Sequence, residues 1–264
     1  MSRLHEAFAA ARAEDRAALI GYLPAGFPSI DGAIDAIRVM VENGVDIVEI
    51  GLPYSDPLMD GPTIQAASEI ALRGGITTHG VLATVEAVAA TGAPTLVMTY
   101  WAPVERYGVE AFATDLAAAG GVGVITPDLT PEEAGPWIAA TDAAGLDRVF
   151  LVAPSSSPER IDVVCRITTG FVYAASLMGV TGVQSVSAAA PALVERTRPH
   201  THLPVAVGLG VSTAAQAAEV ARFADAVIVG SALVKCLIEA ESSRDLGALR
   251  GVVDALAGGV RGLG

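Results

Sequence analysis

Two acidic residues lie close together in the sequence but in unlike surroundings. Glu49 lies at the end of an apolar run, residues 45–50, and Asp60 follows in a loop that contains several prolines and glycines. An acid on an apolar layer loses solvation, which raises its pKa and helps it hold a proton near neutral pH. Backbone amides at a helix start near Pro62 would instead favour the ionised form of Asp60. The pair suggests a proton donor and a proton acceptor at the end of one strand.

Both acids also have a purely structural interpretation. Glu49 would then end its strand in a salt bridge, and Asp60 would be the N-cap of the helix that begins near Pro62. The two residues alone favour neither interpretation, because structural ion pairs also shift the pKa values of acids. The elements that carry the two acids, and the other polar residues near them, must decide.

Size and composition limit the kinds of partner. The 264 residues fit one large α/β barrel or two ordinary domains, and only 5% of them are aromatic although 52% are hydrophobic. We therefore expect a core of Ala, Val, Leu and Ile. The net charge of -13 has no basic cluster to offset it, which argues against nucleic acids and anionic membranes. A small molecule or a protein is the expected partner.

The cysteines and the N-terminal residues indicate in which cellular compartment the protein is expected. Cys165 and Cys236 are few and fall in helical patterns, so neither a disulfide framework nor a zinc site is expected. The first twelve residues form a short amphipathic pattern without the apolar core of a signal peptide, and no run reaches the length of a membrane span. A cytoplasmic protein with a short N-terminal helix is the prediction.

Eight apolar runs of strand length alternate with Ala-rich amphipathic stretches, and Gly or Pro stands at nearly every junction. The predicted strands are residues 18–22, 45–50, 95–100, 122–126, 148–152, 171–175, 204–207 and 225–229. The predicted helices are residues 29–42, 63–73, 78–90, 109–119, 131–144, 158–167, 188–197, 213–222, 232–240 and 246–256. This order predicts an α/β protein, a (β/α)₈ TIM barrel with an extra N-terminal helix, as a single domain over residues 1–264. A doubly wound sheet is the alternative, but the first βα turn lacks a dinucleotide fingerprint.

Glycine-rich turns follow the last three predicted strands, at residues 179–182, 208–210 and 230–231. Barrels of this class often bind phosphate there, because glycine lets backbone N–H groups approach an anion and a short helix opening at Ser231 adds its positive end. Any one of these turns alone is more simply a tight connection. The three together predict a phosphate site that needs no Lys or Arg.

The residue types that do not occur at strand ends limit the reactions that the chain is expected to catalyse. Lys235 is the only lysine and falls in the helix after the eighth strand, so a Schiff-base aldolase is not expected. None of the four histidines falls at a strand end, which argues against a histidine-bound metal. The ends of the first and fifth strands also lack the acid or cysteine that sugar-phosphate isomerases commonly use. Proton chemistry on a phosphorylated substrate then requires a substrate that accepts the electrons of bond cleavage, as an electron-rich heteroaromatic ring does.

Further residues at strand ends complete the predicted site. Tyr173 on the sixth strand is expected to face Glu49 across the barrel mouth, although an ordinary core tyrosine fits its position equally well. Four residues near strand ends are candidates for an apolar slot that holds the ring: Tyr22, Met98, Tyr100 and Leu209.

The chain resembles the α subunit of tryptophan synthase. The resemblance rests on the segment EIGLPYSDPLMDGPTIQ from Glu49 to Gln65, on Gly-Val-Thr-Gly at 179–182 and on Val-Gly-Ser-Ala-Leu-Val-Lys at 229–235, and it extends from the first helix to the last. It implies a carbon–carbon lyase that reversibly cleaves indole-3-glycerol phosphate to indole and glyceraldehyde 3-phosphate by a retro-aldol reaction.

The resemblance also implies roles for individual residues. Glu49 would protonate the indole carbon that bears the side chain, Asp60 would take or stabilise the ring N–H proton, and Tyr173 would support the site. Tyr22 and Tyr100 match positions that line the indole pocket, and the segment after Tyr173 matches a mobile lid. The positions that match the phosphate-binding loops are Thr181, Gly182, Gly210, Gly230 and Ser231.

A β-subunit partner is the last implication of the resemblance. That subunit would hold pyridoxal phosphate and receive indole through a tunnel in an α2β2 complex, while this chain would hold no cofactor. The chain departs from the family pattern at Ala102, near the expected β contact, and at Leu177 and Met178 in the lid. A stand-alone indole-3-glycerol-phosphate lyase and a non-catalytic activating subunit are the alternative functions.

Overall fold

A computed structural model describes residues 2–175, 189–208, 210–240, 242 and 245–262. Its strands form one parallel sheet in the order β5-β4-β3-β2-β1-β9-β8-β7-β6. Only Phe150 separates β5 from β6, so these two segments are parts of one strand and the sheet closes into an eight-stranded barrel. The predicted (β/α)₈ barrel is confirmed. The strands are β1 (Ala18–Pro24), β2 (Ile47–Gly51), β3 (Thr95–Met98), β4 (Gly123–Ile125), β5 (Asp147–Val149), β6 (Leu151–Val152), β7 (Val172–Ala175), β8 (Val205–Gly208) and β9 (Ala226–Val229).

Helices cover the outside of the barrel and connect its strands, with a short 3₁₀ turn at Arg198–His200. In the described part of the chain none of them is long and apolar enough to cross a membrane. They are α1 (Arg3–Ala13), α2 (Ile30–Glu42), α3 (Pro62–Arg73), α4 (Thr78–Ala89), α5 (Trp101–Tyr107), α6 (Val109–Ala118), α7 (Gly135–Ala144), α8 (Pro158–Ile167), α9 (Ala189–Thr197), α10 (Ala214–Ala221), α11 (Ser231–Ile238) and α12 (Gly247–Val260).

Helix α12 extends to Val260, four residues beyond its predicted end, and two further helices differ from the prediction. The sequence pattern does not predict α5, whose first N–H groups are satisfied from another loop: the Asp128 carboxylate accepts from the Trp101 backbone N–H at 2.9 Å. Helix α7 was predicted from residue 131 and begins at Gly135, because a turn around Thr130 precedes it and Pro136 lies in its first turn. Neither difference moves a predicted site residue.

Helix α1 closes the N-terminal end of the barrel. Leu4, Phe8 and Ala11 lie on one face of the helix and are buried against the side chains that fill the barrel interior. The ring of Phe8 contacts that of Phe171, with 5.7 Å between ring centroids. The helix begins after Ser2, whose hydroxyl accepts a hydrogen bond from the His5 N–H. The predicted extra N-terminal helix therefore acts as a plug, which leaves only the opposite end of the barrel open to a ligand.

Candidate active site

Glu49 stands inside the barrel near its C-terminal mouth. Side chains alternate along β2, so Ile47 enters the interior core and Glu49 follows on the same side, between Tyr22 of β1 and Leu96 of β3 in the strand register. The side chain is 1% exposed, and its Oε2 atom has no hydrogen-bond partner among the described residues. The salt-bridge interpretation of Glu49 is therefore wrong for the part of the chain that the structure describes.

The surroundings of Glu49 favour its neutral form. Burial, together with a smaller effect from the nearby charge of Asp60, raises the pKa of Glu49 from its ordinary value of 4.5 to about 8. A carboxyl group with such a pKa keeps its proton at neutral pH. It can then donate that proton to a substrate and take one back.

Asp60 lies in the loop between β2 and α3, and it is not the N-cap of α3. Gly61 occupies that position without a side-chain hydrogen bond, so the capping interpretation is wrong. The Tyr100 hydroxyl donates a hydrogen bond to Asp60 Oδ1 at 3.1 Å and accepts one from the Met59 backbone N–H at 2.9 Å. Asp60 is thus held by a tyrosine from the end of β3.

Two opposing effects act on the pKa of Asp60. Partial burial raises the pKa of Asp60, and the hydrogen bond from Tyr100 acts in the opposite direction. The sequence-based expectation of a pKa lowered by helix-start amides is therefore wrong. The physical reason is that the carboxylate points toward Tyr100 instead of capping α3.

Two further tyrosines face the same space, each fitted against a glycine. A Cβ atom added at Gly51 would lie 2.2 Å from the Tyr22 hydroxyl oxygen, and one at Gly208 would lie 2.3 Å from that of Tyr173. Burial raises the pKa of both phenols above the ordinary value, and the charge of Glu49 adds to the effect. Both hydroxyls therefore remain protonated and act as donors.

These side chains surround a cleft of about 150 Å³ at the barrel mouth. The structure brings together eight residues of the predicted site around it: Tyr22, Glu49, Asp60, Met98, Tyr173, Gly210, Gly230 and Ser231. Tyr100 is not among the lining residues; it stands behind Asp60 with its ring 5.5 Å from that of Tyr54. Thr181, Gly182 and Leu209 lie outside the described residues. Sequence reasoning missed five lining residues, of which strand alternation gives a signal for the last: Met59, Gly61, Thr63, Ile64 and Ile228.

Glycine turns and a helix start form the other end of the cleft. Gly210 has a φ of +65°, a conformation that favours glycine, and Gly230 precedes the first residue of α11. Ser231 therefore opens an eight-residue helix at the edge of the cleft, where free backbone N–H groups attract an anion. The predicted short helix after the last strand is present at the predicted position.

A larger groove of about 450 Å³ lies beside this cleft but lacks acids. It runs between the β2–α3 loop, the α3–α4 turn and α5, and it includes Tyr54, His79, Ala102 and Pro103. None of the residues that line it is a carboxylate. The described residues also contain no group of three or more His, Cys, Asp or Glu side chains placed to hold a metal ion. Of these two spaces, the smaller cleft is the one that described carboxyl groups line.

The cleft combines an acid that holds its proton, a second acid in a more polar place and a helix start suited to an anion. Glu49 can protonate a carbon atom of a ligand, and Asp60 can stabilise the positive charge that this protonation creates. Together these groups suit a substrate that has a protonatable apolar part at one end and an anionic group at the other.

Comparison with known proteins gives the same family throughout. The family model described as tryptophan synthase alpha chain matches residues 8–253. The tryptophan synthase alpha chain of Acidothermus cellulolyticus is 59% identical over 262 residues, covering 99% of this chain and 98% of that protein. The same-named chain of Salinispora arenicola is 60% identical over 263 residues, with 99% and 98% coverage. A solved structure of Mycobacterium tuberculosis tryptophan synthase aligns with a TM-score of 0.93 at 56% identity, covering 98% of each chain.

Proposed function

The chain belongs to the tryptophan synthase alpha chain family, and on that premise we propose how its cleft performs the family's reaction. The chain is a carbon–carbon lyase that cleaves indole-3-glycerol phosphate to indole and glyceraldehyde 3-phosphate. The single observation that carries the mechanism is Glu49, a buried carboxyl group whose Oε2 atom has no hydrogen-bond partner among the described residues and whose pKa is raised to about 8. The comparisons support this function and not a stand-alone lyase or a non-catalytic activator.

The first step is protonation of the ring. Glu49 donates its proton to the indole carbon that carries the glycerol phosphate side chain, and the ring becomes a cation centred on its nitrogen. Asp60 faces the N–H group of that cation and stabilises it, since charge–charge attraction in a partly buried site is stronger than in water. Tyr100 holds Asp60 in place from behind.

Bond cleavage then returns the electrons to the ring. The side-chain hydroxyl next to the ring gives its proton to the Glu49 carboxylate, its oxygen becomes the aldehyde oxygen, and the carbon–carbon electron pair neutralises the ring cation. Glu49 regains its proton, so one residue serves as acid and base in turn. Tyr173, whose hydroxyl is seated against Gly208, supports Glu49 from across the mouth.

Binding uses the two ends of the cleft. Tyr22, Met98 and Leu209 are assigned to the indole ring, with Tyr100 acting through Asp60. The phosphate group is assigned to the glycine turns and the start of α11, through Thr181, Gly182, Gly210, Gly230 and Ser231. The arrangement of Gly210, Gly230 and Ser231 around one end of the cleft supports this assignment.

A β-subunit partner follows from the name of the family. We propose an α2β2 complex in which the β subunit alone holds pyridoxal phosphate. The exposed side of the β2–α3 loop supports a docking surface there: Leu58 is 80% exposed, and the acid-free groove beside it includes Ala102 and Pro103. A single domain over residues 1–264 and a cytoplasmic location stay predictions.

The proposed mechanism is tested by indole release from indole-3-glycerol phosphate, measured on the purified chain alone and with a β subunit. The wild-type chain should release indole in at least one setting, and Glu49→Gln should release almost none in either. Absence of release by the wild-type chain in both settings would overturn the function. Undiminished release by the Glu49→Gln chain would overturn the assignment of the acid while leaving the family unchanged.

A further inference from the structure

Tyr22 carries a hydroxyl group that the mechanism above leaves unused. Its ring lies in β1 directly beside Glu49 in the strand register, and the side chain is 9% exposed. Among the described residues no group forms a hydrogen bond with this hydroxyl. Tyr22 is itself one of the residues that line the cleft.

The backbone around Tyr22 is shaped to its ring. A Cβ atom at Gly230 would lie 3.1 Å from Tyr22 Cδ1, and one at Gly51 would lie 2.2 Å from its hydroxyl oxygen. The ring therefore extends from the proposed phosphate turn at Gly230 to the end of the Glu49 strand at Gly51. Its hydroxyl lies at the end of the cleft where bond cleavage takes place.

Electrostatics keep this hydroxyl available as a hydrogen-bond donor. Burial raises the pKa of Tyr22 well above its ordinary value, and the charges of Asp60 and then Glu49 raise it further. The phenol thus stays protonated and donates. Tyr100 differs, because its hydroxyl is already engaged by Asp60 and by the Met59 N–H.

A bound indole-3-glycerol phosphate offers few acceptors at that end. The ring N–H is only a donor, the ring carbons accept no conventional hydrogen bond, and the phosphate group is at the far end of the cleft. The acceptor nearest the bond that breaks is the hydroxyl oxygen on the carbon next to the ring. This oxygen gains negative charge as its proton leaves for Glu49.

We propose, on the basis of the proposed function, that Tyr22 is a further catalytic residue whose hydroxyl donates a hydrogen bond to this oxygen. The bond strengthens as the oxygen changes from hydroxyl to aldehyde, so it stabilises the transition state more than the bound substrate. In the reverse reaction the same donor polarises the aldehyde for attack by the indole carbon. Tyr22 keeps its own proton throughout, and Glu49 alone transfers protons.

The test distinguishes the contribution of the Tyr22 hydroxyl from that of the Tyr22 aromatic ring. Tyr22→Phe keeps the aromatic ring and removes only the donor. Tyr107→Phe, measured like Tyr22→Phe on the chain without a β subunit, is the matched control, because it removes a hydroxyl that donates to Asp115 and does not line the cleft. Two reactions are measured on the full chain: cleavage of indole-3-glycerol phosphate, and exchange of the indole C3 hydrogen in D₂O followed by NMR. The exchange needs Glu49 and the ring but involves no substrate oxygen.

The expected result is a kcat for cleavage at least tenfold lower in Tyr22→Phe, with KM within about threefold of wild type. The rate of C3 exchange should stay within about twofold, and the pH profile of kcat should keep its position. Equal losses in cleavage and exchange would overturn the proposal, because they would mean that Tyr22 only places the ring. A shifted pH profile would overturn it too, since Tyr22 would then act by tuning the acids.

Failure of this proposal is distinguishable from failure of the proposed function. If wild-type chain and Tyr107→Phe cleave the substrate and Tyr22→Phe cleaves it equally well, only the role of Tyr22 is wrong. If the wild-type chain neither cleaves indole-3-glycerol phosphate nor exchanges the C3 hydrogen of indole, the proposed function itself is wrong. Circular dichroism and thermal unfolding of each variant establish that the compared chains are folded.

Discussion

Both ends of the barrel contain buried ionisable residues, but the two ends differ in whether these residues have ionic partners. At the N-terminal end, the Arg16 guanidinium donates to both oxygens of Asp46 at 2.7 and 2.9 Å, and Asp46 also accepts from the Leu19 backbone N–H at 2.8 Å. The buried Arg148 guanidinium pairs with the exposed Asp142 carboxylate and donates to the Thr141 hydroxyl at 2.9 Å. At the C-terminal mouth, Glu49 has no such partner among the described residues.

This difference separates the residues that stabilise the barrel from those that do its chemistry. A buried ion pair keeps both charges and holds its elements together, but neither group is free to exchange a proton. A buried acid without a partner gives up its charge instead, and the proton it then holds is available to a substrate. Barrels of this class place stability at the N-terminal end and activity at the C-terminal end. In the described part of this chain, the paired residues Arg16 and Asp46 lie at the stabilising end, and Glu49, which lacks such a partner, lies at the active end.

The largest effect is expected for Glu49→Gln, which tests whether the buried acid at the mouth serves catalysis and not stability. The substitution keeps the shape of the side chain and removes its exchangeable acid, so we expect kcat for indole release to fall about 10²–10⁴-fold. The free energy of unfolding at pH 7 should not fall, because glutamine needs no charge in this place. Steady-state kinetics and urea unfolding measure the two effects. A stability loss comparable with the activity loss would contradict the separation of the two ends.

The opposite test is Asp46→Ala at the N-terminal end. It leaves Arg16, whose side chain is 8% exposed, without its bidentate partner, so the free energy of unfolding should fall by about 3 kcal/mol. The kcat per folded molecule should stay within about twofold of wild type. Glu69→Ala is the control, since it breaks the exposed pair with Arg73 on α3 and should cost less than about 1 kcal/mol. A large fall in kcat for Asp46→Ala would break the comparison.

The barrel itself could be predicted because parallel strands covered on both faces leave a plain signal in sequence. The apolar run at residues 45–50 predicts β2, and alternation along it correctly puts Ile47 and Glu49 on one side. The glycine turn before Ser231 likewise predicts where α11 begins. These features depend on a few neighbouring residues, and local sequence therefore contains most of the information that determines them.

Features made by distant contacts were not predictable in the same way. Helix α5 depends on Asp128, which is 27 residues from the Trp101 N–H that it caps. The orientation of Asp60 depends on Tyr100, 40 residues away, so the sequence pointed to an N-cap and to a lowered pKa that the structure contradicts. The seats of Tyr22 and Tyr173 against Gly51 and Gly208 also require neighbouring strands to be in register.

The pH dependence of stability sharpens the comparison further. Because the pKa of Glu49 rises from 4.5 to about 8 on folding, the folded state holds this proton more tightly than the unfolded state. The resulting stability is fully present below pH 4.5 and is lost as the pH rises through 8. Between pH 5 and pH 8.5 the wild-type chain should lose about 2 kcal/mol more unfolding free energy than Glu49→Gln, allowing for water in the open cleft. Urea unfolding at both pH values measures this; parallel curves would contradict an unpaired Glu49.

The smallest effect is expected for Tyr100→Phe. This substitution tests whether Asp60 at the barrel mouth depends on the hydrogen bond from the Tyr100 hydroxyl. The hydroxyl of Tyr100 donates to Asp60 and thereby lowers the pKa of that carboxyl group against the effect of burial. Without this donor the pKa of Asp60 should rise, so the ionised form that stabilises the ring cation appears only at higher pH. We expect the acidic limb of the kcat/KM profile to move upward and kcat/KM at pH 7 to fall about three- to tenfold. Tyr54→Phe keeps the ring that contacts Tyr100 and leaves Asp60 its donor, so its profile should match wild type. An unmoved limb in Tyr100→Phe would mean that Asp60, like Glu49, works without a protein partner, and the contrast between the two ends of the barrel would then be complete.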